Sequence, residues 1–177
     1  MSISYSPFVF AGGGAADIQL TLSDSSTLPE GAFRFSGTAY GQIGKIVKSV
    51  SSKSIISIGD YGLADMPVLE TVDLPSCISI GNYALRVPNT TVGQETPLKV
   101  VVLPKLQTVG EYVFRYRVTL ETVTLGSVGN PVTSISSNAF SGCTQSTLTI
   151  TVYTSDGSAL SGSPWGATNA AVKFEKA

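Results

Sequence analysis

Histidine is absent from this sequence of 177 residues. That removes Ser-His and Cys-His nucleophile pairs and every imidazole metal ligand. Charge is scarce: Asp, Glu, Lys and Arg make up 13% of the chain, about half the roughly 25% usual in a soluble domain. Eleven basic against 12 acidic residues leave a net charge of -1. No basic stripe can be drawn from that count, so nucleic-acid binding through phosphates is not expected. No apolar run approaches the roughly 18 residues of a membrane helix, so membrane insertion is not expected either. There are two cysteines, Cys77 and Cys143, and two thiolates cannot complete a four-ligand zinc site. They read as small buried side chains; a disulfide between them cannot be argued from sequence. The apolar run at residues 7–11 follows no positive charge and is interrupted by Gly12-Gly13-Gly14, too short for a signal-peptide core. The chain therefore reads as one not exported by its own signal, or as one that begins after it. Ala15-Ala16 follows the glycines where a phosphate loop would have Lys-Ser/Thr. No cofactor or metal is expected.

The sequence does have an apolar content of 42% beside that scarce charge, a balance that excludes a mainly disordered chain, and it has a repeat. Val47-Lys48-Ser49-Val50 leads to Ser57-Ile58-Gly59-Asp60-Tyr61-Gly62-Leu63. Leu69-Glu70-Thr71-Val72-Asp73-Leu74-Pro75 leads to Ser79-Ile80-Gly81-Asn82-Tyr83-Ala84-Leu85. Leu98-Lys99-Val100-Val101-Val102-Leu103-Pro104 leads to Thr108-Val109-Gly110-Glu111-Tyr112-Val113-Phe114. Leu120-Glu121-Thr122-Val123-Thr124-Leu125 leads to Ser134-Ile135-Ser136-Ser137-Asn138-Ala139-Phe140. The units start at 47, 69, 98 and 120, in steps of 22, 29 and 22. The long step holds residues 86–97, rich in Pro, Thr, Asn and Gly, and reads as a loop. The fourth copy carries an insertion at residues 126–131. A stack of coils tolerates such insertions because each coil touches only its neighbours.

Within a unit the apolar residues stand at offsets 0, 3 and 5: Leu69, Val72, Leu74; Leu98, Val101, Leu103; Leu120, Val123, Leu125. The last two alternate as a short strand does, and Pro75 and Pro104 end it by removing a ladder donor. Ile80, Ala84 and Leu85 form a second inward group. No helical periodicity spans ten or more residues, so a 3₁₀ turn or irregular arc is expected there. The expected fold is mainly β: a solenoid of short, stacked parallel strands with such arcs and caps at both ends. Thr147, Ile150 and Val152 read as a fifth, capping unit with Thr in the first apolar slot. Trp165 reads as a lid over the end of the core. Residues 1–44 read as an N-terminal β-rich cap or attachment segment, with strands at Ile18, Leu20, Leu22 and at Ala32-Phe33-Arg34-Phe35; residues 45–177 read as the solenoid with its C-terminal cap.

These residues resemble the BspA-type leucine-rich repeats of bacterial surface proteins. That unit has leucine, two variable residues, isoleucine, one variable residue, leucine-proline, then isoleucine-glycine, alanine-phenylalanine and a cysteine. Ile135 with Ala139-Phe140-Ser141-Gly142-Cys143 carries the closest match. Leu74-Pro75 with Ile80-Gly81 and Leu103-Pro104 with Val109-Gly110 follow. The ending Ser163-Pro164-Trp165-Gly166-Ala167-Thr168-Asn169 is similar to a C-terminal cap found with such repeats, including in phage tail proteins. The resemblance spans about residues 45–175 and departs at Gly62-Leu63, where Ala-Phe is expected, and across 1–44. It implies a curved solenoid used for attachment or recognition, with no common catalytic residue.

Stacking sets equivalent residues of adjacent coils about 4.8 Å apart. Lys48, Glu70, Lys99 and Glu121 then form a column of alternating sign, either a binding stripe or a ladder of opposite charges. Thr71, Val100, Thr122 and Asp73, Val102, Thr124 make a flat face of small β-prone residues, suited to a protein or glycan surface and also simply good in strands. Tyr61, Tyr83 and Tyr112 form a column that is either a binding platform or a row of part-buried stacked rings. Arg115, Tyr116 and Arg117 read as a cationic-aromatic spot or a solvated turn. Carboxylate pairs such as Asp60 with Asp65, or Glu70 with Asp73, have no cleft to flank, so no enzyme is expected. The expected function is a non-catalytic recognition or adhesion module. It would bind a protein or glycan of a host or neighbouring cell through the sheet face, outside the cell or at its surface. The alternative is a phage virion protein, of the tail or fibre, that forms homo-oligomers through residues 1–44.

Overall fold

A computed structural model describes residues 18–21, 27–33, 46–88 and 97–177. The chain runs as a stack of coils, and each coil contributes to one or both of two parallel ladders. The first ladder holds β1 (Ile18–Thr21), β3 (Val47–Ser51), β5 (Thr71–Asp73), β7 (Val100–Leu103), β9 (Thr122–Leu125), β11 (Thr149–Thr154) and β12 (Ala171–Lys176). The second holds the two-residue strands β2 (Thr27–Leu28), β4 (Ser57–Ile58), β6 (Ser79–Ile80), β8 (Thr108–Val109) and β10 (Ser134–Ile135). The register follows the repeat: Val50 stands opposite Val72, Val101 opposite Val123, and Val123 opposite Ile150. All of these side chains are buried, as are Leu69, Leu98, Leu120, Leu74, Leu103 and Leu125. The apolar set at offsets 0, 3 and 5 thus lines one continuous core between the ladders. The arcs after the second ladder are turns; no helix occurs among the described residues.

The corner after each second-ladder strand explains the Ile-Gly-Asp/Asn-Tyr motif. Coils approach so closely there that a Cβ on Gly81 would lie 2.7 Å from the Asp60 nitrogen, and one on Gly110 2.8 Å from the Asn82 nitrogen. Asp60 Oδ1 accepts the Asn82 N–H at 2.7 Å, and Asn82 Oδ1 accepts the Glu111 N–H at 2.8 Å. Each carboxylate or amide therefore occupies a backbone donor of the next coil that would otherwise be orphaned. The following tyrosines turn the chain with left-handed backbone, at φ 57° for Tyr61, 59° for Tyr83 and 55° for Tyr112. Gly31 takes the same place in the N-terminal coil at φ 61°, a conformation that costs glycine least.

Several expectations are corrected. Ile80 and its equivalents form a hydrogen-bonded ladder of their own, which alternation could not reveal in strands of two residues. Ala32 and Phe33 lie in a turn rather than a strand. The Phe33 N–H bonds to Gly62 O at 3.2 Å, just as Leu63 bonds to Ala84 and Leu85 to Val113. Gly31-Ala32-Phe33 is thus an earlier copy of the repeat's arc, inside the stretch set apart at 44. β1 pairs with β3, and β2 with β4, so neither ladder breaks at that boundary. Leu22, Arg34, Phe35 and the remainder of residues 1–44 beyond 18–21 and 27–33 lie outside the described residues, and so does much of the 86–97 loop. Gly62-Leu63 holds the Ala-Phe place because a Cβ at Gly62 would stand 2.6 Å from Ile58 Cγ2. At the C-terminal end Thr147 is exposed and Leu148, one residue later, is buried. That coil is not terminal, since β12 pairs with β11 along its whole length.

The first ladder also has a seam. It is split into the sheets β1-β3-β5 and β7-β9-β11-β12. β5 and β7 lie side by side without ladder pairing among the described residues, at the step that carries the loop of 86–97. The second ladder runs through the same step, with Ile80 opposite Val109. The insertion at 126–131 closes as a tight turn with a Ser127–Asn130 bridge.

An aromatic series fills the C-terminal third of the core. Phe114 stacks on Phe140 at 4.7 Å between centroids, Phe140 meets Trp165 at 6.3 Å, and Trp165 meets Phe174 edge-on at 6.1 Å. Trp165 is a lid, and β12 in turn covers it: its ring is fully buried and its Nε1–H donates to Ser161 O at 2.9 Å. Burial of a ring that size contributes on the order of 4–6 kcal/mol.

Candidate functional site

The outward residues of the first ladder form the candidate face. Alternation along a strand sends every second side chain to solvent, and Thr71, Asp73, Val100 and Val102 are exposed while Thr122 and Thr124 are half-buried. Two apolar side chains stand out at its centre, Val100 at 51% and Val102 at 48% exposure. One border is charged. Lys48 Nζ meets Glu70 Oε1 at 3.3 Å on one side of the seam, and Lys99 Nζ meets Glu121 Oε1 at 2.8 Å on the other. The column of alternating sign is thus a set of neighbouring ion pairs, in which exposed partners are worth little individually. Glu70, Thr71, Asp73, Lys99, Val100, Val102, Glu121, Thr122 and Thr124 all fall on this face or its border.

The tyrosine column does not join them. Tyr61, Tyr83 and Tyr112 follow the second ladder, round the coil from the face. They stack at 4.8 and 5.0 Å between centroids, with interplanar angles of 2° and 19°. The Arg86 guanidinium lies 5.4 Å from the Tyr61 centroid and 5.8 Å from that of Tyr83, and Arg115 lies 4.9 Å from Tyr112. All three tyrosines are half-buried. The rings spend their faces on one another and on two cations, so the part-buried stack describes them better than an open platform. The carboxylates have structural partners: Asp60 caps Asn82, and Asp65 pairs with Arg86 at 3.4 Å.

Arg117 is a correction. It is no solvated turn residue: it is fully buried, its Nε–H donates to Leu85 O at 2.8 Å and Nη1–H to Met66 O at 3.2 Å. One guanidinium thus ties three coils together. Burial lowers its pKa to about 10, opposed by neighbouring Cys143 and Asp65, and it remains a cation at neutral pH. Nothing in the local sequence separates it from Arg115. Cys77 and Cys143 are free and buried, their thiols donating to Ser79 O at 3.4 Å and Phe114 O at 3.1 Å. Burial pushes both thiols up to about 12, far from the range of a reactive thiolate.

Sequence reasoning also missed a shallow groove of about 480 Å³ between the two ladders, lined by Lys53, Ile56, Ile78, Lys105, Gln107 and Asn130 among others. Its residues come from the short connections, where no periodicity marks them.

Stacked parallel coils with an aliphatic core, close glycine corners and an Ala-Phe arc define a leucine-rich-repeat solenoid. The model of the BspA type leucine-rich repeat region matches six copies, over residues 19–144 and 87–161, and the chain belongs to that family. The match begins well before residue 45, in agreement with the repeat arc at Gly31-Ala32-Phe33. No curated protein and no solved structure matches the chain.

Proposed function

We propose that this chain is a non-catalytic recognition or adhesion module, working outside a bacterial cell or at its surface, that binds a protein or glycan of a host or neighbouring cell through the face of the first ladder. The membership of a repeat family of interaction modules supports the reading. The observation that carries it is the make-up of that face: Val100 and Val102 exposed at the centre, Thr71, Asp73, Thr122 and Thr124 around them, and the Lys–Glu pairs along one border. An apolar centre with a polar rim is the anatomy of a recognition surface, and exposed β-branched residues gain from being covered.

The test is a binding screen against glycans and host matrix proteins, run in parallel with Thr71→Lys/Val100→Lys/Thr122→Lys. These positions lie on the outer side of the ladder, and far-ultraviolet dichroism checks that the variant is folded. Loss of the captured ligand in the triple variant is the expected result. Binding that survives the substitution means that another surface is used.

A further inference from the structure

β12 ends the first ladder, and its outer edge is unpaired among the described residues. At six residues it is, with β11, the longest strand among the described residues, and it contains no proline. The Ala171 N–H donates to Leu148 O and the Ala177 N–H to Thr154 O, both on the β11 side. Backbone groups alternate in direction along a parallel strand. Residues 171, 173, 175 and 177 thus turn their N–H groups to β11, and Val172, Phe174 and Lys176 turn theirs outward. Such an edge is a template for another strand.

We propose that the occupant is a second copy of this chain, its β12 antiparallel to the first about a twofold axis at Phe174. Charge selects this register. An axis at Lys173 sets two lysines opposite each other, and an axis at Glu175 sets two glutamates opposite. With the axis at Phe174, Lys173 faces Glu175 of the second copy, twice, on the exposed side of the sheet. These are non-hydrogen-bonded pairs, where antiparallel side chains come closest. Phe174 then exchanges both backbone hydrogen bonds with its symmetry mate, and Val172 does so with Lys176 of the second copy. On the inner side Val172 and Phe174 pack only partly against the core, and the twofold axis brings Phe174 against Phe174. The four-stranded sheet β12-β11-β9-β7 continues into its mate, end to end. The interface is self-complementary, as a closed dimer requires, and it leaves the proposed recognition face free.

Sedimentation equilibrium of the full chain is the test, with a dissociation constant in the micromolar range or weaker, as small interfaces give. Lys173→Glu and Glu175→Lys each set like charges opposite twice and should weaken self-association on the order of tenfold or more. A mixture of the two variants restores complementary pairs and should form a heterodimer that neither makes alone. Near-ultraviolet dichroism from Trp165 reports that each variant is folded. Should one fail to fold, Lys173→Cys mixed with Glu175→Cys should cross-link on mild oxidation more readily than either alone, the opposed positions being within disulfide reach. A wild-type chain that stays monomeric at about 1 mM, a dimer indifferent to both substitutions, or folded variants whose mixture does not associate would each overturn the proposal.

Discussion

Gly110→Ala isolates the close approach of coils from the conformational freedom of glycine. Gly110 is not among the positive-φ residues, so alanine meets no backbone penalty there. It meets atoms instead: a Cβ would lie 2.8 Å from the Asn82 nitrogen, the Asn82 Oδ1 and the Gly81 carbonyl carbon. Two of the three are backbone and cannot swing aside. Forcing the coils apart costs about 1–3 kcal/mol, as overpacking does. It also strains the Gly110 N–H to Ile80 O bond at 2.9 Å and the Glu111 N–H to Asn82 Oδ1 bond at 2.8 Å, each worth about 0.5–1.5 kcal/mol. The total is about 2–6 kcal/mol. Gly129→Ala is the control: at φ +80° with nothing within 4 Å, it carries only the left-handed penalty of about 1–2 kcal/mol. Urea unfolding followed by far-ultraviolet dichroism measures both. With a slope of about 1–3 kcal/mol/M, Gly110→Ala should lower the midpoint by roughly 1 M or more, and by more than Gly129→Ala. Equal midpoints for Gly110→Ala and wild type, or a larger loss at Gly129, would refute the argument that coil spacing fixes this glycine.

Val101→Asp places a carboxylate where exposure is nil; the cost of about 5 kcal/mol or more approaches the whole stability of a domain, so the central coils should unfold. A soluble variant with wild-type cooperativity in urea would contradict the register. Arg117→Ala removes the donors to Leu85 O and Met66 O and leaves a cavity, a loss of about 3–5 kcal/mol readable as a lowered Tm. Cys77 and Cys143 should resist a thiol reagent at pH 8 in the native protein and react after unfolding; prompt native labelling would deny their burial. The folded thiols titrate near 12 against an ordinary value of 9.0. Between those values the unfolded state gives up protons that the folded state keeps, so their contribution to stability, intact below about 9, falls as pH rises toward 12. Urea midpoints across that range measure it.

The core was legible because its signal is periodic. Val72, Val101 and Val123 recur at one offset, and a core shared by stacked coils requires that recurrence. The second ladder was not legible, since Ser57–Ile58 and Ser79–Ile80 are too short for alternation to appear. Gly31-Ala32-Phe33 escaped notice because Leu28-Pro29 stands where the later copies have Ile-Gly, and Gly31 where they have tyrosine. The outward face could be read from strand parity, so Thr71, Val100 and Thr122 fall where expected. Arg117 could not: its burial depends on carbonyls 32 and 51 residues away in sequence, and a polar residue beside Arg115 and Tyr116 looks like surface. Thr147 shows the limit of spacing alone, since a single-residue shift lets Leu148 enter the core in its place.

The seam between β5 and β7 gives the stack a mechanical asymmetry. Along the second ladder every coil is stitched to the next through Ile80 and Val109, whereas on the first the two sheets merely abut. At that step the front of the stack is held by side chains, with Val72 and Val101 buried in one core on either side of the seam, and not by ladder pairing.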